Sequence, residues 1–330
     1  MDTAALAREI AEIHFARRPE LRERYGERGF QHCVKDAAYH LQYLEQSLRL
    51  HNEQLFADYV RWAKIMLAAR RVPVDDLIAN LGIVAEVVSK EIPAARSTIE
   101  AAIRALNEPV QDEAASPHAE LSGAYLQAVL AGERNVASTL IQDAIARGVS
   151  LRDVYLHIFQ PAQHEIGRRW QRNEISVADE HLATAITQVI MAQLYPLLFS
   201  GPRKPRTFVA ACVGGELHEI GARMVADFFE MEGWNTYYLG ANTPVEGIVK
   251  MICERNAHVA GISVTISYNL AAAEQVIRDI RRDARCSATK IIVGGYPFGI
   301  APDLWKTLGA DGYAANAQEA IELADRLTAS

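Results

Sequence analysis

The chain has few of the features that quickly place a protein in a class. It has only four cysteines in 330 residues, Cys33, Cys212, Cys253 and Cys286. They show no paired spacing, so neither a zinc site nor a disulfide framework is indicated. No apolar run reaches the roughly 18 residues that a membrane helix needs, and no signal-peptide pattern is seen. Basic residues are not in excess. The formal charge is −7 and the pI is near 5.8, which argues against a nucleic-acid-binding surface over the whole molecule. There is no internal repeat and no long low-complexity tract. A reducing cytoplasm, no membrane contact and no direct nucleic-acid binding are the expectations.

What is present is core-forming sequence. Half of the residues are hydrophobic, enough for well-packed interiors, and the length suggests two or three domains. Residues 204–330 alternate strand and helix patterns. Apolar strands are predicted near 206–213, 235–240, 258–265, 289–294 and 311–315, with helices between them. Such βα units build a flavodoxin-like, doubly wound α/β sheet. Gly201, Pro202 and Pro205 mark a linker before it.

Residues 118–200 read as a bundle of four helices, punctuated by Gly132, Gly148 and the stretch Asn173–Ser176. In its last helix an apolar stripe is predicted from Val177, Ala178, Leu182, Ala185, Ile186, Val189, Ile190 and Leu194. Residues 1–108 are also all-α. Phe30, Ala37, Leu41, Leu44 and Leu48 share one side of a helix, Arg70–Pro73 ends the next, and Pro93 interrupts or begins another. Glu108-Pro109 to Ser116-Pro117 reads as a linker.

The most informative stretch is Glu216-Leu217-His218-Glu219-Ile220-Gly221, between the strand that ends at Val213 and a helical pattern. In an open α/β sheet this loop lies at the carboxyl end of a strand, where such folds bind ligands. A histidine there is placed to ligate a metal, and Glu216 is near enough to fix its tautomer. Gly221 lets the backbone approach something large. A plain loop histidine remains the alternative on these residues alone.

Two later strand ends bear on that choice, Ser263-Val264-Thr265 and Gly294-Gly295. The order acid-x-His-x-x-Gly, Ser-x-Thr, Gly-Gly resembles the cobalamin-binding Rossmann-like domain. The resemblance implies that His218 replaces the cofactor's own base as lower ligand to cobalt, with Glu216 behind it. It also implies a slot for the nucleotide tail, kept open by Ser263, Thr265, Gly294 and Gly295. That family usually has Asp where Glu216 stands, a mild departure because Glu also carries a carboxylate.

Trp170 is followed by nine residues and then Glu180-His181. On the plainer reading the tryptophan is a core aromatic and the pair a solvated helix start. The spacing, directly before such a domain, resembles the cobalamin-dependent photoreceptors, whose bundle caps the upper face of the corrin. That likeness implies that Trp170, Glu180 and His181 surround the upper adenosyl group of adenosylcobalamin. Two departures stand out. The family's repressors begin with a DNA-binding domain, which residues 1–108 do not resemble. They also place a histidine after the tryptophan, where this chain has Gln171; neither His164 nor His181 inherits its role by motif.

In residues 1–108, His32, Asp36, Tyr39 and Tyr43 fall on one helical face beside His40. Tyr59, Trp62 and Met66 do so on the next helix. A polar-aromatic lining suits a flat tetrapyrrole; a dimer interface is the competing reading. The all-helical unit resembles globin-like and phycobilin-like sensors. The whole arrangement is similar to the photocobilins, which add a bilin-binding helical domain to the cobalamin unit. Cys33 is the one candidate there for a thioether to a bilin, although a lone helical cysteine more often simply packs.

The expectation is therefore a light sensor rather than an enzyme. It binds adenosylcobalamin through His218 and a bilin such as biliverdin through the first helical region. Its further partners are an output protein that the sequence does not name and other copies of the chain. The main rival is a corrinoid methyl carrier or mutase cofactor subunit. A dinucleotide site fails because Gly214, Gly215 and Gly221 lack the required spacing. A phosphorelay receiver fails for want of an acidic cluster at the strand ends.

Overall fold

A computed structural model describes residues 2–107, 117–199 and 202–329. The linker expected at 108–116, and Gly201, lie outside the described residues. The chain divides into two compact units, 1–110 and 111–330.

The first unit is helical: α1 (Thr3–Arg17), α2 (Glu20–Arg49), α3 (Glu53–Ala69), α4 (Val74–Val88) and α5 (Ala94–Arg104). Gly26 breaks the regular path of α2 with φ +61°, a backbone conformation open to glycine at little cost. Pro73 and Pro93 stand as the caps of α4 and α5. The core gathers Leu41, Leu44, Phe56, Val60, Leu81, Val84 and Ile99. Asp76 is buried against α1, where Arg18 donates to its carboxylate.

The second unit opens with α6 (Ala119–Leu130) and α7 (Arg134–Ala146). A continuous rod follows: α8 (Leu151–Asp153), a π-helical turn (Val154–Phe159) and α9 (Gln160–Gln171). Pro161 accounts for the turn. It has no N–H to donate and its ring crowds the carbonyl one turn back, so the ladder widens just before it. Then comes α10 (Val177–Leu194), started by a capping box in which Ser176 and Asp179 bond each other's backbone N–H.

The inward face of α10 differs from the predicted stripe. Ala183, Ile186, Thr187, Ile190, Met191 and Leu194 are buried. Val177, Leu182 and Val189 are exposed, as are Ala178 and Ala185. The helix is apolar over more than half its circumference, so periodicity alone does not say which half turns in. Thr187 goes inward because it has partners there: its hydroxyl accepts from Tyr125 and donates to the Ala183 carbonyl.

The sheet strands are β1 (Thr207–Cys212), β2 (Asn235–Tyr238), β3 (Val259–Ser263), β4 (Lys290–Gly294) and β5 (Gly312–Tyr313). Among the described residues they form one parallel sheet in the order β2-β1-β3-β4-β5. The order reverses between β1 and β3, so the loops leaving those strands open a crevice at their carboxyl ends. Helices α11 (Ile220–Met231), α12 (Val245–Glu254), α13 (Leu270–Arg282), α14 (Tyr296–Ile300), α15 (Leu304–Leu308) and α16 (Ala317–Leu327) complete the fold.

Bundle and sheet share one core. Phe229 of α11 stacks on Phe208 of β1 with centroids 3.6 Å apart, and Phe228 meets Tyr155 of the rod at 6.0 Å. The Tyr155 hydroxyl donates to Asp227 at 2.8 Å. Burial pushes the Asp227 carboxyl up to about 6, against the Tyr155 bond and the charge of Arg223. Arg152 bonds Glu232 and Gln318, so the start of the rod is fastened to α11 and α16. No helix among the described residues is long and apolar enough to cross a membrane.

One expectation about cysteine is corrected. Cys253 and Cys286 are joined as a disulfide, with Cα atoms 4.9 Å apart across 33 residues of sequence. Cys253 sits at the end of α12 and Cys286 on the turn after α13. Helix packing brings them together, which spacing along the chain does not reveal.

Candidate cofactor site

The site is built where β1 hands over to α11. Glu216 is fully buried, and its carboxylate accepts five hydrogen bonds. Oε1 takes the His218 N–H at 3.1 Å and His218 Nδ1 at 2.6 Å. Oε2 takes the N–H groups of Thr265 at 2.8 Å and Ile266 at 2.9 Å, and Asn269 Nδ2 at 3.2 Å. Burial alone would raise this carboxyl. Bonds from the His218 ring and from the Ile266, His218 and Thr265 backbone outweigh it and hold the pKa down to about 2.

This arrangement orients His218. Its Nδ1 is committed to Glu216, while 58% of the side chain is exposed, so the ring leaves Nε2 accessible. Its pKa is raised, first by the Glu216 hydrogen bond and, after the opposing effect of burial, by the charges of Glu216 and Glu180. Glu180 lies in the first turn of α10. The bundle residue singled out from sequence is thus close enough to act on the loop histidine.

His181 repeats the pattern in weaker form, with Nδ1 2.5 Å from Glu180 Oε2 and 74% of the side chain exposed. Trp170 is half-buried in the last turn of α9, next to half-buried Gln171. Several partners escaped the sequence reading. Gln188 of α10 donates to Glu219 at 2.7 Å, and Glu219 also accepts from the Tyr238 hydroxyl and the Ala241 N–H. The Glu-x-His-Glu run contained that signal. Asn269 carried none, being far along the chain from Glu216.

At the other strand ends the packing is tight, and the space beside Gly295 is filled by the chain's own backbone rather than kept open. Ser263 pairs with Cys212 on one side and Gly294 on the other. Gly295 has φ +109°, and a Cβ there would stand 1.9 Å from the Val264 carbonyl oxygen. By contrast, a Cβ on Gly221 would meet nothing within 4 Å, so there is open space beside His218.

Of what a corrinoid bound in this way would use, the structure supplies an accessible imidazole nitrogen on His218, a tautomer fixed by Glu216 and open space at the start of α11 beside Gly221.

In the first unit the two predicted aromatic faces pack on each other. Tyr43 and Tyr59 stack with centroids 3.7 Å apart, and His40 Nδ1 lies 2.8 Å from the Tyr59 hydroxyl. Trp62 lies parallel at 6.4 Å from Tyr59. Asp36 is half-buried, its pKa raised by burial against the charge of His32; His32 and Tyr39 are exposed. Facing helices with complementary rings close on themselves rather than leave a lined cleft. Burial, then the charge of Asp36, pushes the Cys33 thiol up to about 12, which leaves it a poor nucleophile. His14 Nδ1 and Asn80 Oδ1 are buried without hydrogen-bond partners among the described residues.

Fold and site together define a parallel-sheet cofactor-binding unit capped by a helical bundle. Comparison with known proteins carries this further. The B12 binding domain model matches residues 206–322, and a second B12 binding domain model matches 121–195. A corrinoid protein of Desulfitobacterium hafniense (strain Y51) is 25% identical over 206 residues, covering 61% of this chain and 94% of its own. The dimethylamine corrinoid protein of Methanosarcina barkeri is 28% identical over 169 residues, 50% of this chain and 78% of its own. Among solved structures, the monomethylamine corrinoid protein of Methanosarcina barkeri superimposes with a TM-score of 0.57 at 19% identity. It covers 64% of this chain and all of its own, a likeness of fold. These matches support a cobalamin-binding family. Residues before 121 lie outside both domain models.

Proposed function

We propose that the second unit binds a corrinoid with His218 Nε2 as lower ligand to cobalt. The observation that carries this is the Glu216–His218 pair: a fully buried, five-bonded carboxylate aiming one imidazole nitrogen outward. When bound, the group supplies a cobalt–carbon bond. The chain's own residues would hold the His218 imidazole in one tautomer through Glu216, with Trp170, Glu180 and His181 of α9 and α10 on the bundle side.

The relatives favour one finer reading, a corrinoid carrier that exchanges methyl groups with separate methyltransferases. Its support is the kinship to corrinoid proteins named for methylamines. A second reading, an adenosylcobalamin light sensor, rests on the likeness of the Trp170, Glu180 and His181 segment to the cobalamin-dependent photoreceptors; Glu180 and His181 stand in the first turns of α10. Under that reading the first unit takes a bilin, and Asp36 is its polar partner once the Tyr43–Tyr59 stack opens.

Absorption spectra of the full chain, loaded separately with adenosylcobalamin and methylcobalamin and taken in the dark and after illumination, decide between them. A carrier retains the methyl form at least as well as the adenosyl form. A sensor prefers the adenosyl form and loses that preference in Trp170→Ala. No uptake of either form sinks both readings; a His218→Ala protein that keeps a histidine-nitrogen coupling to reduced cobalt in paramagnetic resonance sinks the assignment of His218 as the ligand.

A further inference from the structure

Cys253 and Cys286 lie away from His218, at the far ends of α12 and α13. Each is at most 4% exposed, and the two are joined. The other ends of the same helices cradle the Glu216 loop. Before α12, Asn242 accepts from Gly215 N–H through its side chain and donates its own N–H to the Glu216 carbonyl. Before α13, Thr265, Ile266 and Asn269 donate to the Glu216 carboxylate. The segment between the two cysteines contains β3 and all three of these donors. A cross-link at one end of the helix pair therefore restrains the loops at the other.

We propose that Cys253 and Cys286 form a redox-controlled clasp that sets how firmly the loops around Glu216 hold His218 as a ligand. This rests on the corrinoid reading above. Disulfides in reducing compartments are usually transient and sensing rather than structural. The oxidant is a low-molecular-weight disulfide. One cysteine thiolate attacks it, forming a mixed disulfide and expelling one small thiolate. The second cysteine, giving up its proton, attacks the mixed disulfide and expels the other. The two protein sulfurs lose two electrons in all, the small disulfide gains them, and the two protons end on the released thiols. Both cysteines are buried, so the reagent must reach Cys286 through an opening of the 283–289 turn.

The test uses the full chain equilibrated with reduced or oxidised glutathione. Free thiols are counted by alkylation under denaturing conditions and mass spectrometry. Amide exchange is followed at residues 264–269, and hydroxocobalamin release is followed by absorbance. Oxidation is expected to protect Cys253 and Cys286 while Cys33 and Cys212 remain alkylated. It is expected to slow exchange at 264–269 and to slow release about 5-fold or more, within the usual range of coupling between sites. Cys286→Ser and Cys253→Ser should each abolish the difference while still binding hydroxocobalamin. Absence of the linkage, or a linkage that leaves exchange and release unchanged, overturns the inference. So does stoichiometric zinc in the reduced protein that is lost in Asp283→Ala, which would make this a metal site. Failure to bind hydroxocobalamin in either state instead removes the corrinoid reading, and the exchange measurement still decides whether the clasp acts on the loop.

Discussion

Replacing Glu216 by Gln isolates the charge of the buried carboxylate at nearly constant shape. In the native loop one oxygen faces the two His218 donors and the other faces Thr265, Ile266 and Asn269. An amide offers one acceptor, so in either orientation its NH2 points at donors. The pKa held near 2 rather than 4.5 corresponds to about 3 kcal/mol favouring the ionised form, at about 1.36 kcal/mol per unit. Lost charge-assisted bonds at about 1.5–3 kcal/mol each give the same order. The variant should therefore lose about 3 kcal/mol of stability at pH 7, read by urea unfolding with circular dichroism. It should also retain cobalamin about 10–100-fold less well. The pH dependence follows from the sign. A depressed carboxyl stabilises fully above 4.5, and that stability drains away as pH falls through about 2. The wild type should show this acid limb and Glu216→Gln should not. A loss under about 1 kcal/mol with an unchanged acid limb would refute the clamp.

Three other predictions test separate parts of the structure. His40 is buried and neutral with its pKa lowered to about 4 by burial, so the first unit should lose about 3 kcal/mol as pH falls from 6.5 towards 4. Hydrogen exchange in residues 27–69 reads this, and a flat response contradicts the buried assignment. Tyr155→Phe removes the hydroxyl that donates to the Asp227 carboxylate and should cost about 1–3 kcal/mol, with the loss shrinking below about pH 6 as Asp227 protonates. Gly295→Ala places a Cβ 1.9 Å from a carbonyl oxygen; a melting temperature within a degree of wild type would show that the β4 turn yields more easily than its contacts imply.

Whether a feature could be read from sequence depended on how local its cause was. Phe208 to Cys212 form a continuous apolar run because a central parallel strand is buried on both faces, so β1 and the loop after it were legible. The Glu216–His218 pair was legible because only one residue lies between the partners. The rest of the clamp was not, since Asn269 and the Thr265 amide are about fifty residues away and backbone donors carry no residue identity. The face of α10 was misjudged because Val177, Leu182 and Val189 extend its apolar surface outward, where hydrophobicity alone cannot mark the core side. In the first unit the spacing of Tyr43 and Tyr59 correctly put rings on facing helices. It could not say whether those rings flank a cleft or fill it, because that depends on an interhelical distance.

The two carboxylate–histidine pairs bear on what the site is built to do. Both tie Nδ1 and leave Nε2 outward, yet their supports differ. Glu216 is buried and bound by four donor groups besides the His218 ring, so moving His218 means breaking a satisfied interior network, which is costly. Glu180 keeps 28% of its side chain exposed and otherwise accepts from the Thr184 hydroxyl among the described residues. Water can replace those contacts, so His181 can swing at small cost. A ligand that must persist through every state of a metal belongs on the rigid pair. A group that must make room as the other face changes belongs on the loose one. This asymmetry suits both finer readings, because a methyl carrier and a light sensor each keep one face of cobalt fixed while the other exchanges. If the proposed corrinoid lies under the bundle, substitutions at Trp170, Gln171 and His181 should alter which alkyl form is kept while leaving the lower ligand intact.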